Sequence, residues 1–279
     1  MVVVGLACLF AVALVTVMTA PTVITRGGWR LRFPRLALAV SHALTLVGLA
    51  CAASTLVWTL AEVVSGGDRS GGAFWLQPTA LTLFGWVGLA AVGGLITVIV
   101  TSAEPMTESD RRLRLEFSLL EARGTSVVRD GIRVVTVPSD RPVALSVPGP
   151  QHRILIASGL MRLLTEDQLR AVVEHERAHL VQHHGMLTRL ARLNRACFAF
   201  IPGTSEIERS TRMLVELIAD DTAARHAGAV NLANALWRVG SASEDAALRL
   251  RARRLASHPP RGSSTLSSRV RHTLAASSI

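Results

Sequence analysis

The sequence predicts a membrane-embedded helical segment of three transmembrane helices, followed by an α+β domain with a small antiparallel sheet. Three observations predict it. Long, almost uncharged apolar blocks fill the first hundred residues. Short β-like runs broken by Pro and Gly follow, and beyond them apolar residues recur with helical spacing. The division falls at residue 101, giving a membrane region over 1–101 and a water-facing domain over 102–279. The apolar fraction of 49% is high for a soluble chain, and its concentration in one half says more than its total.

A bilayer core takes about 20 apolar residues in helical form. Met1–Ile24 carries no charge, Leu36–Leu60 has only His42 as an ionisable group, and Ala80–Thr101 is again uncharged. Each is too long for an ordinary buried helix. Met1–Gly5 lacks the positive charge of a signal peptide, so the first block is expected to be an uncleaved span. Arg26, Arg30, Arg32 and Arg35 lie in the first loop, and Arg111, Arg112 and Arg114 follow the third block. The second loop holds only Arg69 against Glu62 and Asp68. By the positive-inside rule the N-terminus faces outward and everything after Thr101 is cytoplasmic.

The formal net charge is +10, and all 30 basic residues are Arg. With no lysine, a Schiff base, a lysine general base and a P-loop lysine are excluded. In a chain with spans, such a balance points to anionic lipid and not to direct nucleic-acid contact. The basic segment Arg249–Arg254, with Arg269 and Arg271, is a candidate for lipid contact, and a solvated helix face is the alternative. Cys8, Cys51 and Cys197 are scattered and form neither a CxxC pair nor a disulfide framework.

In the second half, Ile132–Val137, Val143–Val147 and Arg153–Ala157 read as strands separated by Pro-rich turns. Thr165 and Gln168 form a capping-box pair at the start of a helix that runs through about Val181. A second helix is expected over Glu206–His226, ending near Gly228, with shorter ones over Asn231–Val239 and Ser243–Ala256.

The first of these helices contains His175-Glu176-Arg177-Ala178-His179, the HExxH pattern. Residues i and i+4 share one helix face, so both imidazoles can reach one metal ion. A catalytic zinc takes three protein ligands and leaves a position to water, whose pKa it lowers to about 7. Glu176, beside the first ligand, is placed to accept that water's proton. A third ligand is needed. Gln182 and Gly185 stand where a longer histidine motif would require Gly and His. A later helix offers Glu216-Leu217-Ile218-Ala219-Asp220. Glu216 is the expected ligand, and Asp220 the carboxylate that hydrogen-bonds a ligand imidazole, a role Asp221 could share.

HExxH followed by ExxAD is the gluzincin pattern, and over roughly Arg112–Arg271 the chain resembles two families of membrane peptidases. One is the BlaR/MecR family of antirepressor metallopeptidases. The other contains the HtpX heat-shock proteases and the CAAX prenyl proteases. Three preceding spans, the His-Glu-Arg-Ala-His form and the Asp220-Asp221 doublet favour the first. The resemblance implies one zinc ion on His175, His179 and Glu216, with Glu176 as general base. It implies a multi-pass protein of the bacterial cell membrane, whose lipid bilayer it occupies, with a protein or peptide substrate such as a cytosolic transcriptional repressor. Membrane-protein quality control and a non-catalytic scaffold are the alternatives.

The chain departs from the antibiotic-sensing members of that family. It ends at Ile279 without a penicillin-binding sensor, so beta-lactam sensing is not expected. Tyrosine is absent, which leaves the oxyanion to another donor, with Arg225 and His226 as candidates. In gluzincins an extended substrate adds to the sheet edge beside the zinc helix, and Arg153–Ala157 is the candidate edge, with an interior position as the alternative.

Overall fold

A computed structural model of the chain describes residues 29–64, 121–129, 131–147, 152–197 and 203–260 continuously, with isolated positions between 5 and 19, between 79 and 119, and at 199. The chain divides into two compact units. One comprises Met1–Thr107 with Arg189–Leu214, the other Glu108–Thr188 with Val215–Ile279.

In the first unit, α1 (Trp29–Arg32) leads into α2 (Pro34–Val64). Within α2, Pro34–Thr55 has a mean hydropathy of 2.0 and is long enough to cross a bilayer. It is the single such helix among the described residues, where three were expected. The other two expected spans, Met1–Ile24 and Ala80–Thr101, fall largely outside the described residues. Pro34 opens α2 where its missing N–H costs nothing. In the same unit Glu208 is buried, and Arg192, Arg195 and Arg212 surround its carboxylate. That pairing is what allows a charge there at all.

The second unit is an α+β domain. Its strands are β1 (Thr125–Arg129), β2 (Ile132–Val137), β3 (Ala144–Val147) and β4 (Arg153–Ala157), in the order β1-β2-β4-β3. The pairs β1/β2 and β3/β4 are antiparallel, whereas β2/β4 is parallel. The sheet is therefore mixed, not antiparallel as the sequence suggested. The reason is topological: β4 returns between β2 and β3, so the Arg153–Ala157 strand is interior and its expected role as a free edge is not met. β1 escaped the sequence reading because its two valines, Val127 and Val128, are both exposed and give no alternation.

One face of the sheet buries Ile132, Ile154 and Ile156 against Leu160, Leu180 and Ala235. The helices that follow the sheet are α3 (Ser158–Leu163), α4 (Glu166–Val181), α5 (His184–Cys197), α6 (Thr204–Ala227), α7 (Ala229–Ala242) and α8 (Ala246–Ser257), of which α5 from Arg189 and α6 up to Leu214 belong to the first unit. α6 to α8 pack through small side chains, including Ala223, Ala224, Ala233 and Ala252, around Leu232 and Leu255. Alanine at these contacts lets helix axes approach closely. Gly159 is required where β4 turns into α3, because a Cβ there would lie 2.2 Å from the Asp140 carbonyl oxygen.

Candidate metal centre

α4 begins where the sequence said it would. Thr165 Oγ1 accepts from the Gln168 N–H, and the Gln168 side chain accepts from the Thr165 N–H. The helix then runs unbroken through His175, Glu176 and His179 until His183 takes a positive φ of 51° and turns the chain into α5. α6 carries Glu216 and Asp220 one turn apart on a shared face, and ends at Gly228, whose φ is 90°.

These two helices bring the three predicted ligands together. His175 Nε2 and His179 Nε2 are 3.1 Å apart. Glu216 Oε2 lies 3.4 Å from His175 Nε2, and Oε1 lies 3.5 Å from His179 Nε2. Zinc with ligands at about 2.0–2.1 Å in a tetrahedron needs ligand atoms roughly 3.3 Å apart, so this triangle fits the ion. His175 is buried, and His179 and Glu216 are half-buried.

The surroundings explain the electrostatics. Asp220, fully buried, places Oδ1 3.1 Å from His175 Nδ1. Burial alone would lower the His175 pKa. The close approach of the Asp220 and then the Glu216 carboxylate outweighs it and raises the value to about 9. His179 goes the other way, to about 4, through burial and then the charge on His175. Glu216 is held down at about 2: burial opposes this, but the His175 hydrogen bond and the Arg251 charge prevail. Glu176 is raised by burial, against the His175 charge and a hydrogen bond with Ser146 of β3.

Two residues at the centre were not singled out from sequence. His184 is buried, with Nδ1 3.0 Å from His179 Nδ1. Arg251 donates from Nε (2.8 Å) and Nη2 (2.6 Å) to the two oxygens of Asp220, and its Nη1 lies 2.8 Å from Glu216 Oε2. Arg254, one turn further along α8, pairs with Asp221 at 2.9 Å. The basic segment Arg249–Arg254 thus turns two of its guanidinium groups into the protein, not toward lipid or solvent. The signal was there: Arg251 shares a helix face with the apolar Leu248 and Leu255. Arg225 and His226, the oxyanion candidates, are exposed and bond instead to Thr222 of their own helix.

No curated protein and no solved structure is significantly similar to the chain. Residues 132–247 match the family model described as Peptidase family M48. That segment contains His175, His179 and Glu216 with their metal-ready spacing, so the part of the chain that is similar to the M48 family has the zinc-binding group of a metallopeptidase domain.

Proposed function

We propose that the chain is a membrane-bound zinc endopeptidase that cleaves a cytosolic regulator, such as a transcriptional repressor. The observation that carries the reading is the triangle of His175, His179 and Glu216 with Glu176 beside it on α4. The resemblance to the BlaR/MecR family and the apolar helix Pro34–Thr55 support a multi-pass membrane region over 1–101 and a cytoplasmic catalytic domain over 102–279.

His175, His179 and Glu216 would hold a zinc ion, and when bound it would supply Lewis acidity toward a water molecule and a scissile carbonyl. Glu176, with its pKa raised by burial, accepts the water's proton and passes it to the leaving amine. Asp220 holds the His175 ring from behind and fixes which nitrogen faces the ion. β3 is an edge strand of the sheet, and its Ser146 touches Glu176, so an extended substrate pairing with β3 would lie beside the base.

The test uses the full chain in detergent and a tagged Glu176→Gln version expressed in cells. Zinc content should be unchanged, while cleavage should fall by about 10²–10⁴-fold. Uncut substrate should accumulate on the variant. Cleavage at the wild-type rate by Glu176→Gln would remove Glu176 from the mechanism. Recovery of many membrane proteins in place of one regulator would assign the activity to quality control.

A further inference from the structure

Three carboxylates, Glu176, Glu216 and Asp220, converge on a site whose His175, His179 and Glu216 donors suit one divalent cation. Two of them, Glu216 and Asp220, are gripped by the same guanidinium. Arg251 presents its whole fork: Nε and Nη2 to Asp220 at 2.8 and 2.6 Å, and Nη1 to Glu216 Oε2 at 2.8 Å. Its Nη2 also lies 3.4 Å from His175 Nε2, so the cation stands against the metal-facing side of that ring. The side chain is 16% exposed, in a helix held across α7. A buried cation in contact with a metal-binding histidine repels a metal ion, a cost offset here by its ordering of two of the site's carboxylates.

We propose that Arg251 is a positioning residue of the zinc centre, which fixes the Glu216 carboxylate and, through Asp220, the ring of His175. This rests on the metallopeptidase reading above and adds a residue outside both sequence motifs. A carboxylate has about four lone-pair sites on its two oxygens. Arg251 occupies part of Oε2 of Glu216 and leaves Oε1, which faces His179, for the ion. With zinc bound, the ion and the guanidinium together balance the three carboxylates. Neither could do so alone. A lysine would restore the charge but not the planar fork that addresses two carboxylates at once.

Arg254 provides the internal control. It ties the same helix to the same partner helix through Asp221, at 2.9 Å, one turn away from the ligands. The experiment strips the full-length chain of metal in detergent and titrates zinc against a competing chelator, for wild type, Arg251→Gln, Arg251→Lys and Arg254→Gln. Melting temperatures are recorded alongside, as are the visible spectra of the cobalt forms. Arg251→Gln should weaken zinc binding by about 10–100-fold, the usual effect of losing a group that orients a ligand. Arg251→Lys should fall between it and wild type and shift the cobalt spectrum. Arg254→Gln should melt earlier yet bind zinc as wild type does. Equal zinc affinity in Arg251→Gln and wild type would overturn the proposal and leave Arg251 a helix staple. Should Arg251→Gln fail to fold, Arg251→Lys decides, and wild-type affinity with an unchanged spectrum overturns it. Failure of the wild-type chain to take up zinc would instead bring down the metallopeptidase reading itself, and this proposal with it.

Discussion

The Nδ1 atoms of His179 and His184 lie 3.0 Å apart, with the rings edge to face. Only one proton can sit between them. When Nε2 of His179 faces a metal ion, its Nδ1 carries the hydrogen, and His184 Nδ1 must accept it. The fixed tautomer of one ring thereby sets that of the other. His184→Ala removes the acceptor and leaves a buried N–H unpaired. Zinc affinity should drop by about 10–100-fold. His184→Gln, whose carbonyl can accept the same proton, should recover part of it. Chelator competition on both variants checks the ordering, and equal affinities would mean that His184 serves packing alone.

Zinc uptake should depend steeply on pH. A histidine must be neutral to ligate, and His175 in the metal-free site titrates at about 9 because Asp220 and Glu216 stabilise its charged form against burial. Apparent affinity should therefore rise about tenfold per pH unit up to roughly pH 9 and then level off. His179, at about 4, adds nothing in this range. The stability of the metal-free chain runs in the opposite direction. A raised histidine pKa stabilises fully below the unfolded value of about 6.5 and loses that contribution as pH rises toward 9. Isothermal titration with zinc at several pH values, with proton release measured, tests both halves. Uptake independent of pH between 6 and 9 would contradict the arrangement of His175.

Much of this centre is legible in the sequence. HExxH needs only helical periodicity to place His175 and His179 together, and Thr165 with Gln168 announced the helix that carries them. Glu216 and Asp220 followed from the same i, i+4 logic. What the sequence concealed depends on long-range placement. Arg251 looked like one member of a basic run, because nothing local says that α8 folds back so that this residue meets Asp220. The parallel β2/β4 pair was hidden for a related reason: strand direction is set by where β4 inserts, and the Pro-rich turns before it fix only that the chain bends. α5 was missed although its pattern is amphipathic, with Leu187 and Leu190 on the helical face opposite Arg189 and Arg192.

Gly240 links fold to site. A Cβ at this position would meet Leu248 Cβ at 2.9 Å and the Asp245 carbonyl at 3.0 Å, both at the start of α8. Gly240→Ala must push α8 away from α7. Overpacking of this kind costs about 1–3 kcal/mol. Because α8 carries Arg251, the same variant should also weaken zinc binding by several-fold. Thermal melts and zinc titration should move together, whereas a lowered melting point with unaltered zinc affinity would show that α8 shifts without carrying Arg251 along.

The edge of β3 gives a separate handle on substrate. The Ala157 N–H donates to the Val143 carbonyl, which makes Val143 and Ala157 a hydrogen-bonded pair across the two strands. Antiparallel pairs alternate, so with Leu145 opposite Leu155 the backbone groups of Leu145 face β4, and those of Ala144 and Ser146 face the open edge. Ala144→Pro removes one outward N–H from an edge strand, where proline is tolerated, and spares the pairing with β4. Losing one substrate hydrogen bond worth about 0.5–1.5 kcal/mol should lower kcat/KM by roughly 2–12-fold. Zinc affinity should not change, because Ala144 touches none of the ligands. Leu145→Pro is the contrasting case. It removes a donor that faces β4, so it should destabilise the domain as well as slow cleavage. Should Ala144→Pro cleave a substrate as fast as wild type while Leu145→Pro unfolds, the substrate does not pair with β3 at this position.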